Sequence, residues 1–93
     1  MSDGPLKPLI NSILKAYGYQ DQLDEIDIIT AYEEIVGIMC KKHTKKYSFK
    51  KNVFTIWIDS ASLKQEMLYR KNDLMKKLNQ KLGRSIINQI EIK

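Results

Sequence analysis

Apolar residues recur every three or four positions in two stretches of the first half of the chain, and this spacing predicts two amphipathic helices. The first follows a lead over residues 1–4, which we expect to be flexible, and stops at Gly18. The second begins among the acidic residues of Asp21–Asp27, which suit a helix N-terminus, and runs to about His43. Gly37 lies inside this helix, where glycine lowers helix stability by about 1 kcal/mol relative to alanine. A packing reason would explain a glycine at such a position, so we predict that another backbone packs closely against it. The apolar positions are Leu6, Leu9, Ile10, Ile13 and Leu14, then Ile28, Tyr32, Ile35, Val36, Met39 and Cys40.

Beyond the second helix the hydrophobic pattern takes a period of two, as expected for strands. One strand contains Tyr47 and Phe49, and the next covers residues 53–58. Between them lies Lys50-Lys51-Asn52, in which asparagine suits the left-handed backbone of a hairpin turn. The two strands are therefore predicted to be antiparallel neighbours.

A third helix and a third strand complete the pattern. Asp59-Ser60-Ala61-Ser62 supplies N-cap candidates for a helix that runs to about Leu82 and is closed by Gly83. A last strand is predicted within Ile86–Lys93, and it can return parallel to the hairpin because a helix precedes it.

The predicted order is α-α-β-β-α-β, an α+β domain whose small three-stranded sheet is covered on one face by helices. KH-like domains share such arrangements and bind single-stranded nucleic acid through a basic helix and an adjoining loop, but no Gly-X-X-Gly loop occurs here.

The length of 93 residues suits one domain with a modest core. It is too short to form both such a core and a deep catalytic cavity. We expect a single domain over residues 5–93 and a binding module rather than an enzyme. One cysteine cannot build a disulfide framework, the N-terminus lacks the features of a signal peptide, and no apolar run is long enough to span a bilayer. These features predict a cytoplasmic protein.

Charge divides the chain into two parts of opposite sign. Up to Ile38 there are seven acidic and two basic residues, a net charge of −5; after it there are four acidic and fourteen basic residues, a net charge of +10. Two surfaces of opposite sign imply two different partners. For the basic part, nucleic acid is the leading candidate.

Candidate phosphate contacts lie around the predicted hairpin and along the third helix. The helical candidates have spacings of seven, four and three residues, which place them in one stripe beside the apolar positions. The alternative is a solvated face that keeps the protein soluble, because Glu66 and Asp73 lie at its edge. The predicted nucleic-acid-binding residues are Lys45, Lys46, Lys50, Lys51, Arg70, Lys77, Lys81 and Arg84.

Trp57 should point away from the face that carries Phe54 and Ile56. Two interpretations stay open: an exposed indole that stacks on a ligand or docks a protein, or a cross-strand aromatic cluster with Tyr47 or Phe49 under the first helix. The acidic start of the second helix is either a solvated helix end or a docking surface for a basic partner. The predicted partner-binding residues are Trp57, Asp24 and Glu25.

Metal and catalytic sites have little support in the sequence. Cys40 and His43 have the spacing of two zinc ligands, but the chain has no second Cys or His to complete a tetrahedral site. Cys40 also falls among the apolar positions, which favours a small buried hydrophobe over a nucleophile. We expect no cofactor, no metal and no enzymatic activity.

From about Ile28 to Lys93 the sequence resembles the bacterial DciA family. Members usually carry tryptophan where Tyr32 stands, and often another near Leu63. The residues that carry the resemblance are Ala31-Tyr32-Glu33-Glu34-Ile35-Val36-Gly37, His43-Thr44, Val53-Phe54-Thr55-Ile56-Trp57-Ile58-Asp59-Ser60-Ala61, Glu66-Met67, Leu78-Asn79 and Ile90-Glu91-Ile92-Lys93.

The resemblance implies a KH-like domain that binds DNA and the DnaB-type replicative helicase and helps to place the helicase hexamer on its template. It implies no ATPase activity, and the chain has no Gly-x-x-x-x-Gly-Lys-Ser/Thr phosphate loop. Our first hypothesis is a non-enzymatic accessory protein of DNA replication that binds single-stranded or tailed duplex DNA. The alternatives are an RNA-binding KH-like module and a protein-interaction adaptor that binds no nucleic acid.

Overall fold

The computed structural model describes residues 20–93 together with Ser12, Ala16 and Gly18. The predicted flexible lead and most of the first predicted helix lie outside the described residues. The described elements are α1 (Gln20–His43), β1 (Thr44–Lys50), β2 (Val53–Ile58), α2 (Ala61–Tyr69), α3 (Lys71–Leu82) and β3 (Gln89–Ile92).

The three strands form one mixed sheet in the order β1-β2-β3. β1 and β2 are antiparallel, with Phe49 opposite Phe54, and β3 runs parallel to β2. At the hairpin tip Lys51 and Asn52 both have positive φ, 52° and 66°, as a two-residue type I′ connection requires. The predicted hairpin and the parallel return of the third strand are confirmed.

All three described helices supply side chains to a core on one face of the sheet, here called the inner face. Tyr32 of α1 is 0% exposed and lies edge-on to Tyr47 and Phe54, with ring centroids 5.7 and 5.8 Å away. Its hydroxyl is 2.9 Å from Thr44 Oγ1, which donates to the Cys40 carbonyl oxygen. Burial raises the pKa of Tyr32 to about 12. The predicted α+β class with helices on one face is confirmed.

The opposite face of the sheet, here called the outer face, carries the alternate residues of each strand. Trp57 lies there, and its cross-strand neighbour is Lys46. Tyr47 and Phe49 belong to the inner face, so the predicted aromatic cluster of Trp57 with either of them is wrong. The outer-face residues are Lys46, Ser48, Lys50, Val53, Thr55, Trp57, Gln89 and Glu91, followed by Lys93.

The single helix predicted up to Leu82 is interrupted, because Arg70 has φ −102° and ψ 15° and separates α2 from α3. Its predicted ends are confirmed: Ser60 Oγ accepts from the Leu63 N–H at 3.3 Å, and Gly83 closes α3 with φ 75°. The interruption lets Met67 and later residues of α3 reach the same core. The described order is therefore α-β-β-α-α-β.

The third strand, predicted within Ile86–Lys93, covers Gln89–Ile92, and the chain before it is held by a side chain. Asn79 donates to the Ile87 carbonyl oxygen and accepts from the Ile87 N–H, both at 3.0 Å. These bonds occupy the backbone of Ile87, whose side chain is buried in the core. The Asn88 N–H then donates to the Asn52 carbonyl oxygen at 2.8 Å, and β3 follows from Gln89.

Gly37 bends α1, with φ 82° and ψ 179°. A Cβ built at this position would meet no heavy atom within 4 Å. The predicted close packing of another backbone is therefore wrong. Glycine is needed here because this backbone conformation is essentially inaccessible to residues with a side chain.

Candidate nucleic-acid interface

The hairpin presents most of its predicted phosphate contacts to solvent. Lys46, Lys50 and Lys51 are exposed and form no ion pair with any other described residue. Lys45 differs, because its Nζ lies 3.4 Å from Asp59 Oδ2 and donates to the Lys42 carbonyl oxygen. The left-handed turn is what projects Lys50 and Lys51 at the end of the sheet.

Lys45 belongs to a small polar junction between the end of α1 and the end of β2. His43 Nδ1 lies 2.7 Å from Asp59 Oδ1, and the Asp59 N–H donates to the His43 carbonyl oxygen at 3.0 Å. The hydrogen bond from His43, assisted by Lys45, lowers the pKa of the exposed Asp59 carboxyl. The junction fixes the start of the hairpin relative to α1.

The predicted cations of the third helix are all used in ion pairs within the domain. Arg70 pairs with Glu66 of the preceding turn, Lys77 Nζ lies 3.2 Å from Asp73 Oδ2, and Lys81 Nζ lies 3.3 Å from Glu34 Oε1. Exposed pairs of this kind contribute only about 0.2–1 kcal/mol, so phosphate oxygens can replace the carboxylates at small cost. Because the helix breaks at Arg70, that residue does not share one continuous helical stripe with the other cations.

Arg84 lies one residue beyond Gly83 and turns back onto α1. Its Nη2 is 2.9 Å from Asp24 Oδ1 and 3.6 Å from Asp27 Oδ2. Asp24 is only 7% exposed and also accepts a hydrogen bond from Gln20. The pair links the start of α1 to the end of α3, and the guanidinium compensates a largely buried carboxylate.

Glu25, the second acidic residue predicted to bind a partner, also has a contact inside the domain. Its Oε2 accepts from the Phe49 N–H at 3.1 Å. Phe49 lies on β1, an edge strand, so the carboxylate satisfies a backbone donor that the sheet leaves unpaired. The assignment of Asp24 and Glu25 to a partner surface stays a prediction.

The structure brings two lysines onto Trp57. Lys46 Nζ lies 4.7 Å from the ring centroid and Lys93 Nζ lies 5.6 Å from it. The indole is partly exposed and does not belong to the apolar core. Sequence reasoning missed Lys93, because only the parallel pairing of β3 with β2 brings the last residue beside Trp57.

An apolar groove of about 310 Å³ separates the second half of α1 from α2 and α3. The ion pairs Arg70–Glu66 and Lys77–Asp73 lie at this groove. Cys40 lines it, and burial raises the pKa of the thiol, which disfavours the reactive thiolate. Apolar lining residues are Ile35, Val36, Leu63, Met67 and Leu74.

Two further features of the described chain concern binding chemistry. Tyr69 is 87% exposed at the junction of α2 and α3, and sequence reasoning passed over it because it belongs to no periodic pattern.

Within residues 20–93 and the three isolated described positions, no group of three His, Cys, Asp or Glu side chains is placed to hold a metal ion.

A comparison with known families matches residues 5–92 to the family described as "Dna[CI] antecedent, DciA". The chain belongs to the DciA family. The match extends further towards the N-terminus than the resemblance from about Ile28 and covers nearly the whole chain. The DciA family is associated with helicase loading in DNA replication, which implies interaction with the replicative helicase.

No curated protein matches the chain. None of the described helices is long and apolar enough to cross a membrane.

Proposed function

We propose that this DciA-family protein is a non-enzymatic, KH-like accessory factor of DNA replication that binds DNA and the replicative helicase in the cytoplasm. The observation that carries the proposal is the family match over residues 5–92. The net charge of +10 after Ile38 supports a polyanionic ligand for the same chain.

The proposed DNA contacts form two groups. The hairpin group lies on or beside β1, and the helix group lies from the α2–α3 junction to the residue after Gly83. Since the helix cations already pair with carboxylates, DNA must displace those carboxylates, and it must likewise displace Asp59 from Lys45. The other hairpin lysines are available at once. The hairpin group is Lys45, Lys46, Lys50 and Lys51, and the helix group is Arg70, Lys77, Lys81 and Arg84.

Fluorescence anisotropy of a labelled single-stranded oligonucleotide, titrated at several salt concentrations, tests DNA binding. Each phosphate contact contributes about 0.7 to the log–log salt slope for single strands, so four contacts give a slope of about −3. Lys77→Glu combined with Lys81→Glu should abolish binding and leave the thermal midpoint nearly unchanged, because only exposed ion pairs are lost. Unaltered affinity in this folded variant would remove the helix group from the interface.

A matched control for the helix group is Lys64→Glu combined with Lys76→Glu. These lysines lie on α2 and α3 and form no ion pair with another described residue, and the control changes the net charge by the same amount. If both double variants weaken binding equally, the effect comes from overall charge rather than from the proposed contacts.

RNA is the second candidate ligand, because a KH-like sheet with a basic helix does not by itself distinguish it from DNA. Competition between matched DNA and RNA oligonucleotides separates the two functions: preferential displacement by RNA favours an RNA-binding module. An adaptor that binds no nucleic acid would show no change in anisotropy with either strand, even at low salt.

The helicase-facing surface is proposed to include the acidic start of α1, with Asp24 and Glu25. The exposed Asp21 on the first turn of α1 has the same sign. The Arg84 and Phe49 contacts described above compete for the carboxylates of Asp24 and Glu25, so charge on this part of α1 is only partly available to a partner. Trp57 lies on the outer face of the sheet and serves either this partner or the nucleic acid.

A further inference from the structure

The outer face of the sheet is left open by α1, α2 and α3, whose apolar side chains pack on the inner face. Most outer-face residues are polar, and Trp57 on the central strand is the one aromatic residue among them. An indole in such a place gains little from the core. Its position instead provides an aromatic surface in the middle of a polar sheet.

The charges around this indole favour an anionic ligand. Lys46, Lys50 and Lys93 lie on the outer face, whereas Glu91 carries its single acidic side chain among the described residues. Glu91 Oε1 accepts a hydrogen bond from Thr55 Oγ1 at 3.3 Å. The side chains of the outer face therefore have a net charge of about +2, and two of the three lysines lie at the Trp57 ring.

The two lysines at the ring are free to change partners. Neither Lys46 nor Lys93 forms an ion pair with a described residue, in contrast to the four cations of the helix group. A single exposed cation–π contact is weak, and two ammonium groups near one ring repel each other. Phosphate oxygens on either side of the indole would relieve that repulsion.

We infer that Trp57 is a stacking platform for a base of single-stranded nucleic acid, with Lys46 and Lys93 binding the flanking phosphates. The inference rests on the proposed nucleic-acid function and places one contact on the outer face, where the helix group does not reach. Stacking on an aromatic ring tolerates any base, and cations beside it follow the backbone. The site is therefore specific for single strands but not for sequence.

The wild-type protein carries its own reporter, because Trp57 is its only tryptophan. Indole emission is recorded while unlabelled oligothymidylate is added, and anisotropy of a labelled strand is followed in parallel. The expected result is saturable quenching of Trp57 with the same midpoint as the anisotropy change. Oligouridylate gives the corresponding result for RNA.

A strand of equal length with abasic sites separates stacking from charge attraction. It keeps every phosphate but offers no base to the ring. We expect it to bind about 5- to 150-fold more weakly than oligothymidylate, the range that corresponds to one stacked base, and to leave Trp57 emission nearly unchanged. This comparison needs no substitution and so does not depend on the folding of a variant.

Variants test the individual residues. Trp57→Leu should lower affinity about 5- to 150-fold, whereas Trp57→Phe keeps a ring and should recover part of the loss. Tyr69→Leu is the control, since it removes an exposed aromatic residue from α2. Lys46→Gln with Lys93→Gln should reduce the salt slope by about 1.4, and Lys64→Gln with Lys76→Gln should reduce it by less.

The outcomes distinguish this site from the proposed function. Strand binding in anisotropy without quenching of Trp57, or equal affinity for the abasic strand, overturns the stacking platform and leaves nucleic-acid binding in place. No binding of any strand at low salt overturns both. Loss of binding in the Tyr69→Leu control with Trp57→Leu unaffected moves the aromatic contact to the α2–α3 junction and also overturns the inference.

Discussion

Helix propensity and the structure predict opposite effects of Gly37→Ala on the stability of the protein. In a continuous helix, alanine is about 1 kcal/mol more favourable than glycine. In the structure Gly37 has φ 82° and ψ 179°, a region in which an L-residue is strained by about 1–3 kcal/mol. Steric contacts do not enter, because a Cβ would meet nothing within 4 Å.

The net effect of Gly37→Ala follows from two terms. Because the backbone region of Gly37 is essentially restricted to glycine, the strain is taken from the upper part of that range, about 2–3 kcal/mol. The loss of unfolded-chain entropy offsets about 0.4–1 kcal/mol of it, which leaves a destabilisation of about 1–2.6 kcal/mol. For a domain of this size that corresponds to a fall of roughly 4–21 °C in the thermal midpoint. Thermal and urea unfolding followed by circular dichroism measure it.

A D-alanine at position 37 is the matched control, and chemical ligation can introduce it into a chain of 93 residues. D-residues favour positive φ, so this variant should be at least as stable as the parent, by about 0–1 kcal/mol. An L-alanine variant that is more stable than the parent would refute the reasoning, because α1 would then be a straight helix through position 37.

Three further predictions concern the core and the ion pairs. Tyr32→Phe should cost about 0.5–1.5 kcal/mol in chemical unfolding, because one buried hydrogen bond is lost. Since the folded-state pKa of Tyr32 is about 12 and the unfolded value is about 10, the contribution of Tyr32 to stability should be constant below pH 10 and be lost between pH 10 and 12. Stability should therefore fall less steeply over this range in Tyr32→Phe than in the parent, and an equal fall in both proteins would contradict the assignment. Arg84→Met should lower the free energy of unfolding by about 1–3 kcal/mol, because the largely buried carboxylate of Asp24 loses its charged partner. Lys77→Met removes only an exposed ion pair and should change the free energy of unfolding by no more than about 0.5 kcal/mol. Equal costs would mean that Arg84 has no special structural role.

The hairpin could be predicted because its signals are local. Asn52 in the turn and the period of two in β2 decide the connection, and the alternation also places Trp57 on the face opposite Phe54. The N-cap at Ser60 and the C-cap at Gly83 are local in the same sense, and both were found.

What the sequence did not reveal depends on contacts between distant residues. The break at Arg70 has no glycine or proline to mark it, and it follows from how two short helices share one core. Arg84 and Asp24 are 60 positions apart, so their pairing could not be seen before the fold was known. The cations could be found by counting, but whether each one pairs inside the domain is decided by tertiary structure.

Titration of the purified protein against the replicative helicase of its own organism, at physiological salt and without DNA, tests the central claim most directly. Membership of the DciA family predicts saturable binding in the absence of nucleic acid. A complete lack of binding by the folded protein would contradict the account, and the RNA-binding and adaptor functions would then take precedence.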